Sequence, residues 1–307
     1  MRIGYIGNFR PLHSTETHIA ATLESMGHQV IRLQEDAFPL DADQLPYDLV
    51  LWTRTWHNLA VNHFIAACKR NGTLTVSYHL DLYMGISREE AIGSDPFWRT
   101  DHVFTPDGDP RSEAKFKKLG INHHYIPAGV YKKECEKGTY QKKFDCDVAF
   151  VGTVWNYHNE WPYRAQLIDF LQTTYGLRFR HYGQKGRPGV RGQDLNDLFA
   201  SAKIIIGDSL CKNFTHQYYW SDRIYETTGR GGFIIHPNIV GLDTQFHIPA
   251  ELVVYRFGEF EQLKGIIDFY LDNPEIREIV RARSMKRTRR DHTYNNRMEE
   301  MLNVINR

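Results

Sequence analysis

The chain has 307 residues, of which 41% are hydrophobic and 13% aromatic, and its formal net charge is +1 at pH 7. This length suits two domains of about 150 residues each, and the near-neutral charge gives no indication of a partner such as nucleic acid or an acidic membrane. There is no apolar run near the roughly 18 residues of a membrane span and no signal-peptide core near residue 1, so we expect a cytoplasmic protein.

The first half of the sequence alternates strand patterns with helix patterns. Strands are predicted at 2–7, 30–33, 49–53, 74–79, 103–105 and 123–130, and helices at 15–26, 58–70 and 111–119. This alternation predicts a parallel sheet with helices on both faces. The lysine-rich stretch 131–144 is typical of a linker, so we predict a first domain over residues 1–144.

The second half repeats this plan over residues 145–288. Strands are predicted at 148–151, 178–182, 203–207, 233–235 and 252–255, and helices at 162–174, 194–201, 259–272 and 274–288. The predicted fold class is therefore α/β, with two doubly wound parallel-sheet domains. The tail, 289–307, carries apolar residues at helical spacing and needs a surface on which to pack. Four scattered cysteines, Cys68, Cys135, Cys146 and Cys211, lack the spacing of a zinc ribbon or a disulfide framework and are interpreted as packing residues.

The most informative segment is 221–237, where a short capped helix runs through glycines into an apolar strand. Ser221 or Asp222 can cap this helix, while Arg223 and Glu226 fall on one face because they are three residues apart. The cation suits a diphosphate and the carboxylate suits ribose hydroxyls, so the segment predicts a nucleotide site. An ordinary surface ion pair is the competing interpretation.

Further candidate donor-binding residues follow the strands of the second half. Ligands of doubly wound sheets bind beyond the carboxyl ends of the strands. Gly152 and Thr153 lie between a strand and a helix, where backbone amides can approach a phosphate. Gly183, Asp208 and Ser209 follow the next two strands, and ordinary turn chemistry explains them equally well.

Polar residues also follow the strands of the first half. We select His13, His79 and Asp81 as candidates for handling an acceptor hydroxyl, because histidine titrates near neutrality and a carboxylate can orient it. A structural polar contact is the competing interpretation for each residue alone. The Asp107-Gly-Asp109 sequence superficially suits a divalent cation, but a turn explains it, and we predict no metal site.

Several familiar motifs are absent from the sequence. There is no third glycine of a dinucleotide fingerprint after Gly4 and Gly7, no Walker A loop, and no His-Glu-x-x-His among 15 histidines. These absences disfavour an NAD enzyme and phosphoryl transfer through a P-loop. The basic run 277–297 is interpreted as a solvated helix face, because aromatic residues do not interleave with its 286–290 cluster.

In this order and spacing, several short motifs resemble the CgeB-like, group 1 glycosyltransferases, which adopt the GT-B fold. The motifs are Val148-Ala-Phe-Val-Gly-Thr153 with Arg164, Ser221-x-Arg223-x-x-Glu226 with Gly229–Phe233, Gly241-Leu242, and His292-Thr-Tyr294 with Arg297. The resemblance implies two facing Rossmann-like domains, with the acceptor in 1–144, the sugar nucleotide in 145–288, and a final helix over 289–307 that crosses back to the first domain.

The same resemblance implies individual roles. Glu226 aligns with the carboxylate that grips the donor ribose in family 4 glycosyltransferases, and His79 resembles a histidine near the transferred sugar. Two features depart from the family pattern. Tyr218 stands where those enzymes carry a second acidic residue, and their Arg-Lys phosphate clamp after the first strand of the second domain is missing.

The leading hypothesis is a metal-independent glycosyltransferase that needs no bound cofactor. It would move a sugar from a nucleoside-diphosphate sugar, with a UDP-sugar as first choice, to an acceptor hydroxyl in the cleft between the domains. Arg223, Arg164 and helix N-termini would meet the diphosphate charge in place of Mg²⁺. The acceptor stays open among a glycan, a small molecule, a protein and a modified nucleic acid, with modified DNA bases as a subcase.

Two other classes compete with this hypothesis. A sugar-nucleotide epimerase or hydrolase on the same fold would turn over the donor without an acceptor. A non-catalytic module that binds sugar nucleotides would never break the anomeric bond.

Overall fold

The computed structural model describes residues 1–39, 41, 46–154, 158–184, 187–211 and 214–306. The chain divides into two compact units, of which unit 1 comprises Met1–Tyr131 and Tyr294–Arg307 and unit 2 comprises Lys132–Thr293. The division after Tyr131 places the lysine-rich stretch that we predicted as a linker in unit 2.

Unit 1 is built on a parallel sheet. Its strands are β1 (Arg2–Gly7), β2 (Gln29–Gln34), β3 (Leu49–Trp52), β4 (Leu74–Tyr78), β5 (His102–Thr105) and β6 (His123–Tyr125), and its helices are α1 (Thr15–Ser25), α2 (Leu59–Arg70) and α3 (Pro110–Lys118). Among the described residues the strand order is β2-β1-β3-β4-β5-β6. The chain therefore moves to one side of β1 and then to the other, so the topological switch point lies between β1 and β3.

Two apolar layers cover this sheet. One layer contains side chains of α2 and α3, such as Phe64 and Phe116. The other combines Ile3 of β1 and Ile19 of α1 with Met298, which belongs to the C-terminal helix of the chain (Tyr294–Ile305). The apolar face predicted for the tail is thus part of the core of unit 1.

Unit 2 is built on a second parallel sheet. Its strands are β7 (Cys146–Val151), β8 (Phe179–Tyr182), β9 (Ala202–Ile206), β10 (Ile234–Pro237) and β11 (Val253–Tyr255), and its helices are α4 (Tyr163–Tyr175), α5 (Gly192–Ser201), α6 (Arg223–Gly229), α7 (Phe260–Asp272) and α8 (Pro274–Asp291), with the C-terminal helix as α9. The order β11-β10-β9-β7-β8 among the described residues places the switch point between β7 and β9.

The predicted α/β class with two parallel-sheet domains is confirmed, and most strands end within one or two residues of their predicted bounds, with β6 as the exception. We expected a strand over 123–130, whereas β6 ends at Tyr125. Pro127 follows closely and has no N–H group for a ladder hydrogen bond, which accounts for the early end. The predicted left-handed stop after α6 is confirmed at Gly231, where φ is +78°.

All four cysteines are buried, which fits the packing role predicted for them. Within the described part of the chain, no helix combines the length and the apolar character that crossing a membrane requires.

Candidate functional site

The switch point of the second sheet brings the exits of β7 and β9 side by side. β7 ends at Val151 and is followed by Gly152 and Thr153, while β9 ends at Ile206 and is followed two residues later by Asp208. Neighbouring parallel strands end at the same edge of a sheet, and their connections diverge here, so this edge is where doubly wound folds hold ligands.

Arg223 joins the two strand exits. Its Nε donates to the carbonyl oxygen of Val151 at 2.8 Å, and its Nη1 donates to the carbonyl oxygen of Asp208 at 3.0 Å. The guanidinium also lies 5.2 Å from the ring centroid of Phe150. The residue is half-buried, so a cation is held at the carboxyl edge of the sheet without being sealed from solvent.

Arg164 is buried and contacts the residues that follow β7 and β9. Its Nε donates to the Asp208 carboxylate at 2.6 Å, and its Nη1 donates to the carbonyl oxygen of Thr153 at 3.0 Å. The side chains of Arg164 and Asp208 are only 5% and 0% exposed. Arg164 thus fixes the Thr153 loop, while Arg223 is the more accessible of the two cations.

Two glycines allow the backbone to approach closely at the exits of β7 and β8. A Cβ atom on Gly183 would lie 2.6 Å from the carbonyl oxygen of Gly152, and φ of Gly183 is +107°. A Cβ atom on Gly152 would lie 2.8 Å from Nη2 of Arg223. Side chains at these positions would displace the loop or the guanidinium, so both predicted residues shape the edge through their small size.

The predicted serines connect the loop after β9 to the start of α6. The hydroxyl of Ser209 accepts the Ser221 amide at 3.0 Å, and the hydroxyl of Ser221 accepts the Arg223 amide at 3.1 Å. Ser221 therefore provides the side-chain cap, and the Asp222 side chain makes no cap hydrogen bond. Both serines contribute by fixing the helix that carries Arg223.

Glu226 lies in the first turn of α6, and its side chain is 21% exposed. One of its carboxylate oxygens accepts a hydrogen bond from Nε of Arg230 at 2.8 Å. Arg223 and Glu226 thus project from the same short helix toward different partners, the strand exits and a buried guanidinium.

A buried histidine lies beside Asp208 at the end of β10. Nδ1 of His236 is 2.8 Å from the Pro237 carbonyl oxygen and must donate to it, so the neutral ring leaves its lone pair on Nε2. That Nε2 atom and Oδ1 of Asp208 are buried without a hydrogen-bond partner among the described residues. Burial lowers the pKa of His236 to about 4, and the histidine is neutral at pH 7.

In unit 1, His79 lies directly after β4 with its side chain buried. Its Nδ1 accepts the Leu80 amide at 2.9 Å, which leaves the proton of the neutral ring on Nε2. Burial and, to a lesser extent, the charges of Arg88 and Arg54 hold the pKa of His79 well below its usual range. The imidazole is therefore a neutral hydrogen-bond donor.

The surroundings of His79 are aromatic and ionic. Its ring packs edge-on against Tyr83, with centroids 4.3 Å apart, and against Phe97. The buried guanidinium of Arg54 pairs with Asp95 and donates to the Tyr83 hydroxyl at 3.0 Å. These contacts fix the orientation of the histidine.

The remaining acceptor candidates lie nearer to solvent. The Asp81 carboxylate is 64% exposed and 3.4 Å from Nη1 of Arg88, so the Leu80 amide, rather than this carboxylate, orients the His79 ring. His13 is exposed, with its ring 6.0 Å from that of His18.

The Asp107-Gly-Asp109 sequence superficially suits a divalent cation, but we interpret it as a turn. The Asp109 carboxylate caps α3 by accepting the Arg111 amide at 2.9 Å, which agrees with a turn at this position.

Sequence reasoning missed Arg230 and His236. Arg230 lies four residues after Glu226, and that spacing could have indicated a pair on one helix face. The glycines on both sides of Arg230 favoured an interpretation as the end of the helix, which concerns the backbone and not the Arg230 side chain. His236 lies within an apolar strand, where no pattern distinguishes it from a packing residue.

The pKa of His236 predicts a dependence of stability on pH. His236 binds a proton near pH 6.5 in the unfolded chain, but only near pH 4 in the folded chain. The free energy of unfolding therefore falls as the pH drops through this interval. Between pH 7.5 and 5.5 we expect His236 to contribute about 1 kcal/mol of this loss. Urea unfolding at both pH values should show a smaller loss for His236→Asn, whereas the exposed control His247→Asn should keep the wild-type loss. Equal losses in all three proteins would contradict the assignment.

Solved structures of glycosyltransferases resemble the whole chain. An α-glucosyltransferase in complex with UDP aligns over 100% of both chains with a TM-score of 0.74 and 10% identity. The structure of an α-glucosyltransferase with UDP-glucose and DNA containing an abasic site has a TM-score of 0.71, also with 10% identity and 100% of both chains covered. Anabaena HepE with UDP and glucose has a TM-score of 0.62 and 14% identity over 99% of this chain and 100% of HepE. These likenesses confirm the predicted GT-B fold.

No curated protein matches the chain in sequence. The family model described as Glycosyl transferase-like matches residues 146–303, which is just over half of the chain. This match confirms the predicted resemblance to group 1 glycosyltransferases, while the CgeB-like subgroup stays a prediction. The chain therefore belongs to the Glycosyl transferase-like family.

Proposed function

We propose that the enzyme transfers a sugar from a UDP-sugar to an acceptor hydroxyl without a metal ion, and that unit 2 binds the donor at the β7/β9 switch point. The observation that carries the proposal is the half-buried guanidinium of Arg223, which two backbone carbonyl groups hold at the carboxyl edge of the sheet. The choice of uridine is supported by HepE and the α-glucosyltransferase, whose structures contain UDP.

Charge explains why a cation at this edge suits the reaction. When the bond between the anomeric carbon and the diphosphate breaks, the diphosphate leaves with the electron pair and gains one negative charge. A cation fixed before the reaction stabilises that charge without reorganisation. We assign this role to Arg223, and assign to Arg164 the support of the loop that contains Thr153. The Gly152 amide, expected to approach a phosphate, instead donates to the carbonyl oxygen of Tyr182 at 2.8 Å, so it is not assigned to the diphosphate.

The remaining donor contacts follow from hydrogen-bonding chemistry. A carboxylate accepts hydrogen bonds and cannot donate them, so the ionised side chain of Glu226 suits the ribose hydroxyls of the nucleotide. Its position one turn after Arg223 supports a diphosphate and a ribose bound along the same helix. The family resemblance assigns the ribose to the same residue.

We assign to His79 a hydrogen bond to the reacting sugar. Its Nδ1 lone pair is taken by the Leu80 amide, so the ring offers an Nε2–H group rather than a base. That Nε2 atom is buried and has no hydrogen-bond partner among the described residues, which supports a ligand hydroxyl as its acceptor. For Asp81 and His13 we propose contacts with the acceptor, without a part in the reaction at the sugar.

Donor binding provides the first test. UDP at about a hundred times its dissociation constant should stabilise the wild type by roughly 2.7 kcal/mol, visible as a thermal shift that EDTA does not change. Glu226→Ala should weaken UDP binding by about 1 to 3 kcal/mol, because a charged hydrogen-bond partner is lost. Glu261→Ala, an exposed glutamate on α7, is the matched control. A shift that disappears with EDTA would refute metal independence, and unchanged UDP binding by Glu226→Ala would remove that residue from the site.

Catalysis provides the second test. His79→Ala should retain UDP binding while sugar transfer falls by about a hundredfold, because the assigned hydrogen bond is made to the reacting sugar rather than to the nucleotide. His63→Ala, at an exposed position on α2, is the control. Rates are measured by release of UDP with and without acceptor. Full turnover without acceptor would favour the epimerase or hydrolase alternative, and binding without any turnover would favour the binding module.

A modified DNA base is a second candidate acceptor. An α-glucosyltransferase with a 13-mer DNA containing an HMU base has a TM-score of 0.69 to this chain. The basic run 277–297 contains both buried and exposed basic side chains. The guanidinium groups of Arg277 and Arg281 are buried and donate to backbone carbonyl groups. Arg283, Lys286 and Arg289 on α8 are exposed and could contact DNA phosphates.

Salt dependence tests the DNA candidate. If the three exposed cations of α8 contact phosphates, the affinity for duplex DNA containing 5-hydroxymethyluracil should fall with salt. Changing Arg283, Lys286 and Arg289 to Gln should lower the slope of log K against log salt by about 2 to 3. Lys117→Gln with Lys118→Gln on α3 is the charge-matched control for two of these changes. Equal slopes for all variants, or weak binding that does not depend on salt, would eliminate DNA as the acceptor on this surface.

A further inference from the structure

Arg230 is the most completely enclosed guanidinium in the surroundings of Glu226. Its side chain is 2% exposed and contacts three other side chains of unit 2. Nε donates to Glu226 at 2.8 Å, Nη1 donates to the Asn196 side-chain oxygen at 2.7 Å, and Nη2 donates to Glu134. Each of the three guanidinium nitrogens therefore donates a hydrogen bond to a different side chain.

The three partners come from separate segments of the chain. Glu226 belongs to α6, Asn196 to α5, and Glu134 to a short 3-10 turn, Lys132–Glu134. Asn196 and Glu134 together fix the plane of the guanidinium, and that plane in turn fixes where one Glu226 oxygen lies. A carboxylate on a three-torsion side chain would otherwise sample several rotamers at a partly exposed position.

The charges at this cluster leave an excess of negative charge. Burial lowers the pKa of Arg230, but the carboxylates of Glu226 and Glu134 together raise it by more, so the guanidinium is ionised. Burial and the Glu226 charge raise the pKa of the neighbouring Cys135 thiol to about 12, so that thiol is neutral. One cation between two carboxylates carries a net charge of −1, which suits a ligand that donates hydrogen bonds.

We propose that Arg230 is a positioning residue that holds the Glu226 carboxylate in place for the donor ribose, with Glu134 and Asn196 holding Arg230. This inference rests on the proposed function of Glu226. A carboxylate already fixed in position loses less conformational freedom when the nucleotide binds, and its selectivity for ribose hydroxyls increases. Arg230 acts through Glu226 and makes no contact with the ligand itself.

The test compares UDP with 2′-deoxy-UDP and 3′-deoxy-UDP by calorimetric titration of the full chain. The ratio of dissociation constants, deoxy over ribo, reports hydrogen bonds to the ribose, and a merely structural role would not change it. We expect a wild-type ratio of about ten or more for at least one analogue, and a ratio near one for Glu226→Gln. Arg230→Lys should lower the wild-type ratio by about three- to tenfold, because lysine keeps the charge but cannot hold three acceptors in one plane.

Two further variants make the result specific. Arg281→Lys changes another buried arginine of unit 2, one that contacts backbone carbonyl groups at the start of β9, and it should leave the ratio unchanged. In the Glu226→Gln background, where the ratio is already near one, Arg230→Lys should cause no additional loss of UDP affinity, because the two residues act as one unit. If Arg230→Lys does not fold, Glu134→Gln and Asn196→Ala loosen the same guanidinium more mildly and should lower the ratio in the same direction.

The outcomes separate the inference from the proposed function. A reduced ratio in Glu226→Gln with a wild-type ratio in Arg230→Lys, Glu134→Gln and Asn196→Ala would overturn the positioning role alone. A wild-type ratio in Glu226→Gln, in an enzyme that still binds UDP, would overturn the ribose assignment on which the inference rests. Additive losses of UDP affinity in the double variant would show that Arg230 acts independently of Glu226 and would also overturn the inference.

Discussion

Backbone carbonyl groups at the carboxyl edge of the second sheet fix the position of Arg223, and the candidate donor site depends on that contact. β7 and β9 are neighbours in the sheet, and Ala149 of β7 pairs with Ile205 of β9, which lies 56 positions later in the sequence. One planar guanidinium reaches the carbonyl oxygens of Val151 and Asp208 together. The compact ammonium of lysine lacks this forked geometry. The cation is thus a consequence of the strand order, because only this switch point brings those two carbonyl groups together.

Unit 2 uses arginine as an internal connector at several further places. Arg164 joins Asp208 to the loop after β7, Arg230 joins three segments, and Arg281 reaches carbonyl groups at the start of β9. Burying a charge is unfavourable unless acceptors replace the lost water, and each of these guanidinium groups has them. The sequence count of basic residues therefore overstates the positive charge that this unit presents to solvent.

Local patterns predicted most elements of the fold but few of the contacts in the candidate site. Apolar periodicity located the strands and helices, and the Ser221 cap and the left-handed Gly231 followed from short-range chemistry. Contacts between distant segments leave no such pattern. Glu134 and Arg230 are 96 positions apart, and nothing near either residue indicates the other. The proton position on His79 depends on the Leu80 amide and on burial, and both are known only once the loop after β4 is folded.

The place of α9 in unit 1 has a consequence for how the chain is made. Met298 and Met301 are almost completely buried with β1 and α1, although the whole of unit 2 is translated between these segments. During synthesis, the layer that contains Ile3 and Ile19 therefore stays incomplete until the last helix leaves the ribosome. Unit 2, which is continuous in sequence, can fold first. Expression of 1–131 as a fragment would leave an apolar surface uncovered, so a design that isolates this unit has to supply α9, for example through a short connection from Tyr131 to Tyr294.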